Sequence, residues 1–206
     1  MIKNAAPQHS TEWFDLRYSM VTASNAAKIL TPSTLKYSKQ ASTFAAKIAA
    51  FKVWGIWDEP EPSFAMTRGI ELEPDARAAY MKRTGLESEE CGLCLNNSRT
   101  AGATPDGMIY SGEDLVGINE FKCPNLDNHL AYLVADRMPI KYSLQVQFQL
   151  WITEAEWCDF ASYYPGLPLM IDRIFPEKIM HGAISEAVES FNSDVEETVK
   201  LFRSMK

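Results

Sequence analysis

The chain has 206 residues, of which 46% are hydrophobic and 23% charged, a balance that fits a packed globular protein and excludes disorder or collagen-like repetition. No apolar run nears the roughly 20 residues of a membrane span, and the opening MIKNAAPQHSTEW lacks the apolar stretch of a secretory signal, so a reduced, cytoplasmic setting is expected. The net charge of −7 is unevenly spread: residues 1–52 hold seven Lys/Arg against Glu12 and Asp15, a net of +5, which leaves −12 on the rest. That asymmetry suits a protein meeting a polyanion on one face, although a solvated charged surface is the plainer alternative.

In chain order, Ser10 is placed to cap a short helix carrying Trp13, Phe14 and Leu16, and Ser24 a second helix over residues 25–30. Core packing is the expected role of Trp13, Phe14 and Met20. In QASTFAAKIAAFKVW (40–54), Phe44, Ile48 and Phe51 recur at i, i+4 and i+7, the mark of an amphipathic helix, which closes near Gly55. Another helix runs from about Ser63 to Thr84 and stops at Gly85, with Glu71, Glu73 and Asp75 in its middle. From Leu86 to Lys122, apolar stretches alternate with turn signals (LCLNN, AGATPDGMIY, LVGINEFK), which predicts successive strands of one sheet. Helices are expected over 126–135 and 142–153, strands near 157–164 and 169–175, and a polar C-terminal helix over about 176–205. No repeat or flexible linker divides the chain. The expectation is therefore one α/β (α+β) domain over 1–206, with a central mixed sheet flanked by helices.

Four cysteines stand at 91, 94, 123 and 158. Cys91 and Cys94 form a CxxC, but no second close pair completes a zinc site. Buried free thiols, without a disulfide, are the expected reading, and a four-thiol iron–sulfur cluster is the alternative.

The stretch from Thr104 to Lys122 is the richest in chemistry. Asp106 follows Pro105 at a strand's edge, and Glu120 and Lys122, two apart on the next strand, share a face while Phe121 points away. If those strands pair, two carboxylates and an ammonium converge. Hard oxygen ligands suit Mg²⁺, and a nearby lysine can orient or deprotonate a water, which is the outfit of phosphodiester hydrolysis. Taken alone, ExK is also a common exposed salt bridge and PDG a common turn. Other chemistry-bearing residues stand elsewhere in the chain: Glu73 on its helix, Gln145 and Gln147 (which cannot both face one target), and Arg17 with Ser24 near a helix start suited to phosphate.

The ordered series EWFDLRYSMVTAS (12–24), RGIELEPDAR (68–77), AGATPDG (101–107), INEFKCP (118–124) and YSLQVQFQLW (142–151) resembles the lambda-exonuclease/YqaJ-like family of phage recombination nucleases. These belong to the PD-(D/E)xK superfamily, and the likeness spans about Glu12 to Tyr164. The resemblance implies that Asp106 and Glu120, with the backbone carbonyl of Phe121, hold two Mg²⁺ ions, for which Mn²⁺ would substitute. It also implies that Glu73 helps bind the second ion and water, that Lys122 activates the nucleophile and that Gln145 positions it. Arg17 and Ser24 match residues that recognise a 5′-phosphate, and Thr104 joins them. The resemblance further implies a ring-shaped homotrimer that admits double-stranded DNA ends, digests one strand 5′→3′ and works beside a single-strand annealing protein. Subunit contacts near the C-terminus and the Lys36–Lys39 loop do not carry over. An endonuclease on the same fold and a catalytically inactive DNA-binding subunit stay open as alternatives.

Overall fold

The computed structural model describes residues 1–3, 6–58, 61 and 63–205. Strand β1 (Ile2–Lys3) is followed by helix α1 (Thr11–Tyr18), and the Ser10 hydroxyl caps α1 by accepting the Trp13 N–H, one of the donors a helix start leaves unpaired. Trp13 and Met20 are buried with Leu93 and Leu95, as expected of core residues, and Phe14 packs against them. β2 (Val21–Thr22) then leads into a six-residue 3-10 turn, Ala23–Lys28, where an α-helix capped by Ser24 was expected. Ser24 lies inside that turn. Its hydroxyl bonds the Thr22 hydroxyl at 3.1 Å, and Asn25 donates to the same oxygen at 3.3 Å. Such local side-chain bonding competes with α-helix.

β3 (Leu30–Thr31) and β4 (Lys36–Tyr37) make a small antiparallel ribbon. Helices α2 (Ala41–Trp54) and α3 (Phe64–Thr84) end at Gly55 (φ 70°) and Gly85 (φ 74°), in the left-handed geometry that glycine adopts without a Cβ penalty. α3 continues through Pro74 and is anchored beyond it by buried Ala76, Arg77 and Tyr80.

The strands between Leu86 and Lys122 are β5 (Cys94–Leu95), β6 (Ala101–Ala103), β7 (Gly107–Ser111) and β8 (Asp114–Lys122). They fall into two sheets, not the one expected. β5 and β6 join the order β1-β5-β6-β2, whereas β7 and β8 join β9 (Trp157–Ser162) and β10 (Met170–Ile174) in the order β10-β9-β8-β7. The chain changes sheets between β6 and β7, where Pro105 has no N–H to extend a ladder. Both sheets are mixed, with β2–β6 and β8–β9 parallel and the other pairs antiparallel.

Helix α4 (Leu126–Ala135) and a 3-10 turn (Ile140–Tyr142) precede helix α5 (Ser143–Thr153), which contacts β5 and β6 of one sheet and β9 of the other. Eight of its eleven residues are buried. The C-terminal helix α6 (Lys178–Arg203) is less polar than expected, because Ile184, Ala187, Val188, Phe191 and Val195 form a buried stripe that packs on α2. Phe191 stacks on Phe44 at 5.3 Å between ring centroids. Among the described residues no helix is long and apolar enough to cross a membrane.

All four cysteines are free and buried. Cys91, Cys94 and Cys158 sit in the largest core and Cys123 in another. Among the described residues no group of three or more His, Cys, Asp or Glu is placed to hold a metal, so the four-thiol cluster does not form.

His129 of α4 is fully buried between Ser162, 2.8 Å from Nδ1, and the Pro168 carbonyl, 3.1 Å from Nε2. The carbonyl can only accept, so Nε2 carries the proton and Nδ1 accepts from the Ser162 hydroxyl. Burial pushes the His129 pKa down, against the carbonyl's opposing pull. A depressed histidine contributes full stability above its unfolded value of about 6.5 and loses it as pH falls toward the folded value. Melting temperatures at pH 7.5 and 5 should therefore differ less in His129→Gln than in the wild type. An unchanged difference would assign the acid sensitivity to other groups.

Candidate active site

The site is built at the end of β8. β7 pairs with β8 from Gly107 opposite Asn119, so Asp106 stands just beyond the ladder. Its N–H donates to the Asn119 carbonyl at 3.0 Å, and its Oδ2 accepts the Phe121 N–H at 2.6 Å. On an extended strand a residue's N–H and C=O share an edge, so the Phe121 carbonyl opens toward Asp106 as well. Strand alternation sends Glu120 and Lys122 to one face, where the Lys122 ammonium ion-pairs with Glu120 Oε1. The Phe121 ring goes to the other face and packs 5.8 Å from Tyr80 of α3.

Helix α5 covers the Glu120 side. Gln145 donates to Glu120 Oε1 at 2.7 Å, and Gln149, one turn later, donates to Oε2 at 2.5 Å. Gln147 faces elsewhere, bonding the Phe175 carbonyl and the Glu177 N–H, both at 2.9 Å. The sequence reading separates Gln145 from Gln147 but misses Gln149, although a spacing of four is the signal for a shared helix face.

Glu73 reaches the site from α3. Its Oε1 is held by Arg77 Nη2 at 2.9 Å, and Arg77 Nη1 donates to the Ser88 hydroxyl, whose proton goes to Asn119 Oδ1 at 2.7 Å. A cavity of about 690 Å³ is lined by Glu73, Asp106, Phe121 and Lys122, together with Lys141 and Tyr142. Burial, reinforced by Glu120 and Glu73, pushes the Asp106 carboxyl well above the usual carboxylate range despite Lys122 and the Phe121 N–H. Burial, with Glu90 and Glu120, raises Glu73 as well, against Arg77. Burial opposes the Lys122 charge, but Glu120 and Asp106 outweigh it and hold the ammonium above the ordinary lysine range.

Asp106 and Glu120, two buried carboxylates brought together at the end of β8, are a donor pair that a hard divalent cation fits. Mg²⁺ is usually held by one or two carboxylates plus water and substrate oxygens, so a complete protein cage is not required. Asp106, Glu120 and the Phe121 carbonyl are the oxygens in place for it.

Arg17, Ser24 and Thr104 also fall together. Arg17 Nη2 donates to the Ser24 hydroxyl at 3.2 Å, its guanidinium lies 4.1 Å from the centre of the Trp13 ring, and Trp13 Nε1 donates to Thr104 Oγ1 at 3.2 Å. Trp13, read from sequence as a core residue first and a base-pair wedge second, is thus the link between Arg17 and Thr104, and Thr104 stands two residues before Asp106.

A mixed sheet flanked by helices, with Asp106, Glu120 and Lys122 at one strand end, defines a nuclease domain of the PD-(D/E)xK superfamily. The profile of the YqaJ-like viral recombinase domain matches residues 12–156, and the chain belongs to that family. It is similar to LHK-Exo, an alkaline exonuclease from Laribacter hongkongensis, at 29% identity and TM-score 0.82, over 95% of this chain and 97% of that one. The structure of LHK-Exo with dAMP matches at 30% identity with the same TM-score and coverage. A phage-related exonuclease from Haemophilus somnus 129PT shares the fold at 18% identity and TM-score 0.68, over 91% of this chain and 96% of that one. No curated protein matches the chain.

Proposed function

We propose that the protein is a Mg²⁺-dependent exonuclease that digests one strand of double-stranded DNA 5′→3′ from phosphorylated ends, leaving a 3′ single strand for recombination by annealing. The observation that carries this reading is the gathering of Lys122, Gln145 and Gln149 around the Glu120 carboxylate, beside Asp106 and next to the cavity that Glu73 lines. The likeness to an alkaline exonuclease, also matched in its dAMP-bound structure, favours a site that accepts a deoxynucleoside monophosphate. The reading extends to a ring-shaped homotrimer working beside a single-strand annealing protein in the bacterial cytoplasm.

Asp106, Glu120 and the Phe121 carbonyl would hold Mg²⁺, with Glu73 toward a second ion. Bound there, the ions supply neutralisation of the phosphate charge and a more acidic water. The chain's own groups do the rest. Lys122 presents a fixed positive charge at the cavity wall, where it orients the attacking water, and Gln145 holds Glu120 through its Oε1. Arg17 and Ser24 seat the terminal 5′-phosphate and set the register of the strand, with Thr104 between that seat and Asp106.

The test is digestion with Mg²⁺ of a linear duplex carrying 5′-phosphate, the same duplex with 5′-hydroxyl, and closed circular plasmid. Only the linear forms should be consumed, the phosphorylated one faster. Cutting of the circle would replace the exonuclease reading with an endonuclease. A charge-assisted bond to phosphate is worth about 1.5–3 kcal/mol, so Arg17→Ala should slow the phosphorylated substrate about tenfold or more. Equal slowing on both ends would remove Arg17 from the phosphate seat.

A further inference from the structure

Gln149 takes no part in the chemistry outlined above, yet it makes one of the closest contacts in the site. Its Nε2 lies 2.5 Å from Glu120 Oε2, while Lys122 and Gln145 occupy Oε1. Gln149 and Glu120 are each only 1% exposed, so Gln149 cannot reach a substrate in the cavity. Its orientation is set by charge, because turning the amide over would put its oxygen against a carboxylate. Its own Oε1 is buried and has no hydrogen-bond partner. A residue serving only to fill the core would be apolar here, since an orphaned buried amide oxygen costs stability. Gln149 also stands on a rigid element, between buried Phe148 and Leu150, and its carbonyl accepts the Thr153 hydroxyl at 2.8 Å.

We propose that Gln149 is a positioning residue: by pinning Oε2 it fixes the rotation of the Glu120 carboxylate and keeps Oε1 turned to the side of Lys122 and Gln145. The assignment rests on the nuclease reading of the site. A carboxylate free to rotate about its last bond presents a blurred donor to a cation, and loss of such outer partners typically costs about 10–100-fold in metal affinity or activity.

Gln149→Met and Gln149→Leu keep the bulk and remove the donor. Mn²⁺ affinity, measured by calorimetry on the DNA-free protein, should fall about tenfold or more in the folded variants. The Mg²⁺ concentration giving half-maximal cleavage should rise in parallel, with the KM for DNA unchanged. Thermal melting establishes that the variants are folded. If both bind Mn²⁺ within twofold of the wild type, or neither folds, Gln149 is structural and the assignment is overturned. A wild-type protein that neither binds Mn²⁺ nor cuts DNA would overturn the nuclease reading itself.

Discussion

Replacing Lys122 with alanine is expected to slow cleavage of linear duplex DNA by about 10²–10⁴-fold, the range for removal of a positioned acid, base or charge at a reacting centre. The geometry sets why the loss should be so large. Lys122 is held by Glu120, lies near Asp106, and lines the cavity together with Asp106 and Glu73. The same contacts make the variant vulnerable in a second way. Glu120 is 1% exposed, and stripping a buried carboxylate of its cation costs about 3–5 kcal/mol in well-buried pairs. Part of that cost is offset here by Gln145 and Gln149, which keep donating to both carboxylate oxygens. The variant should therefore fold with reduced stability, and urea unfolding run beside the digestion separates the two effects. Added Mg²⁺ should restore part of the stability without restoring cleavage, because a cation at Glu120 replaces the charge of Lys122 but not its position. Wild-type digestion rates in folded Lys122→Ala would take the lysine out of the mechanism.

The parts of this site that sequence made legible are the local ones. Asp106, Glu120 and Lys122 lie within a single hairpin, so strand alternation alone predicts their convergence once β7 and β8 pair. Ser10, Gly55, Ser63 and Gly85 mark helix ends because caps are local chemistry, and the structure keeps all four. What escaped depends on partners distant in the chain. β6 reads as a neighbour of β7, but it pairs with β2, about 80 residues earlier, and with β5. Within AGATPDG, Pro105 marks a break in the ladder, but nothing there announces that the chain leaves one sheet at Thr104 and enters another at Gly107. Likewise α6 reads as polar in sequence because its buried stripe is thinly spread over 26 residues and is recognisable only against α2. Glu73 is an intermediate case. Its helix was predictable, but its neighbour Arg77 was not singled out, and Arg77 is what ties Glu73 to Ser88 and Asn119.

That tie explains Gly107, whose expected role as a turn residue gives way to one of space. A Cβ on Gly107 would lie 2.1 Å from Ser88 Oγ, 2.8 Å from Asn119 Oδ1 and 3.1 Å from Arg77 Nη1, so the buried chain from Arg77 to Asn119 closes directly over this glycine. Gly107→Ala must push Ser88 aside, and with it the acceptor of Arg77 and the donor to Asn119. Overpacking typically costs about 1–3 kcal/mol and an orphaned buried donor a similar amount, so a loss of about 2–6 kcal/mol is expected, read as a lower urea midpoint at unchanged slope. Cleavage should fall too, by about tenfold or more, because Asp106 is the preceding residue and Arg77 fixes Glu73, and small misplacements of reacting groups are amplified in rate. The cycle with Ser88→Ala isolates the cause. Removing the Ser88 hydroxyl takes away the nearest obstacle, so the double variant should be less destabilised than the sum of the two single ones. Strict additivity would show that the Gly107 effect arises elsewhere, and an unaltered midpoint in Gly107→Ala would show that the backbone there yields without disturbing Ser88.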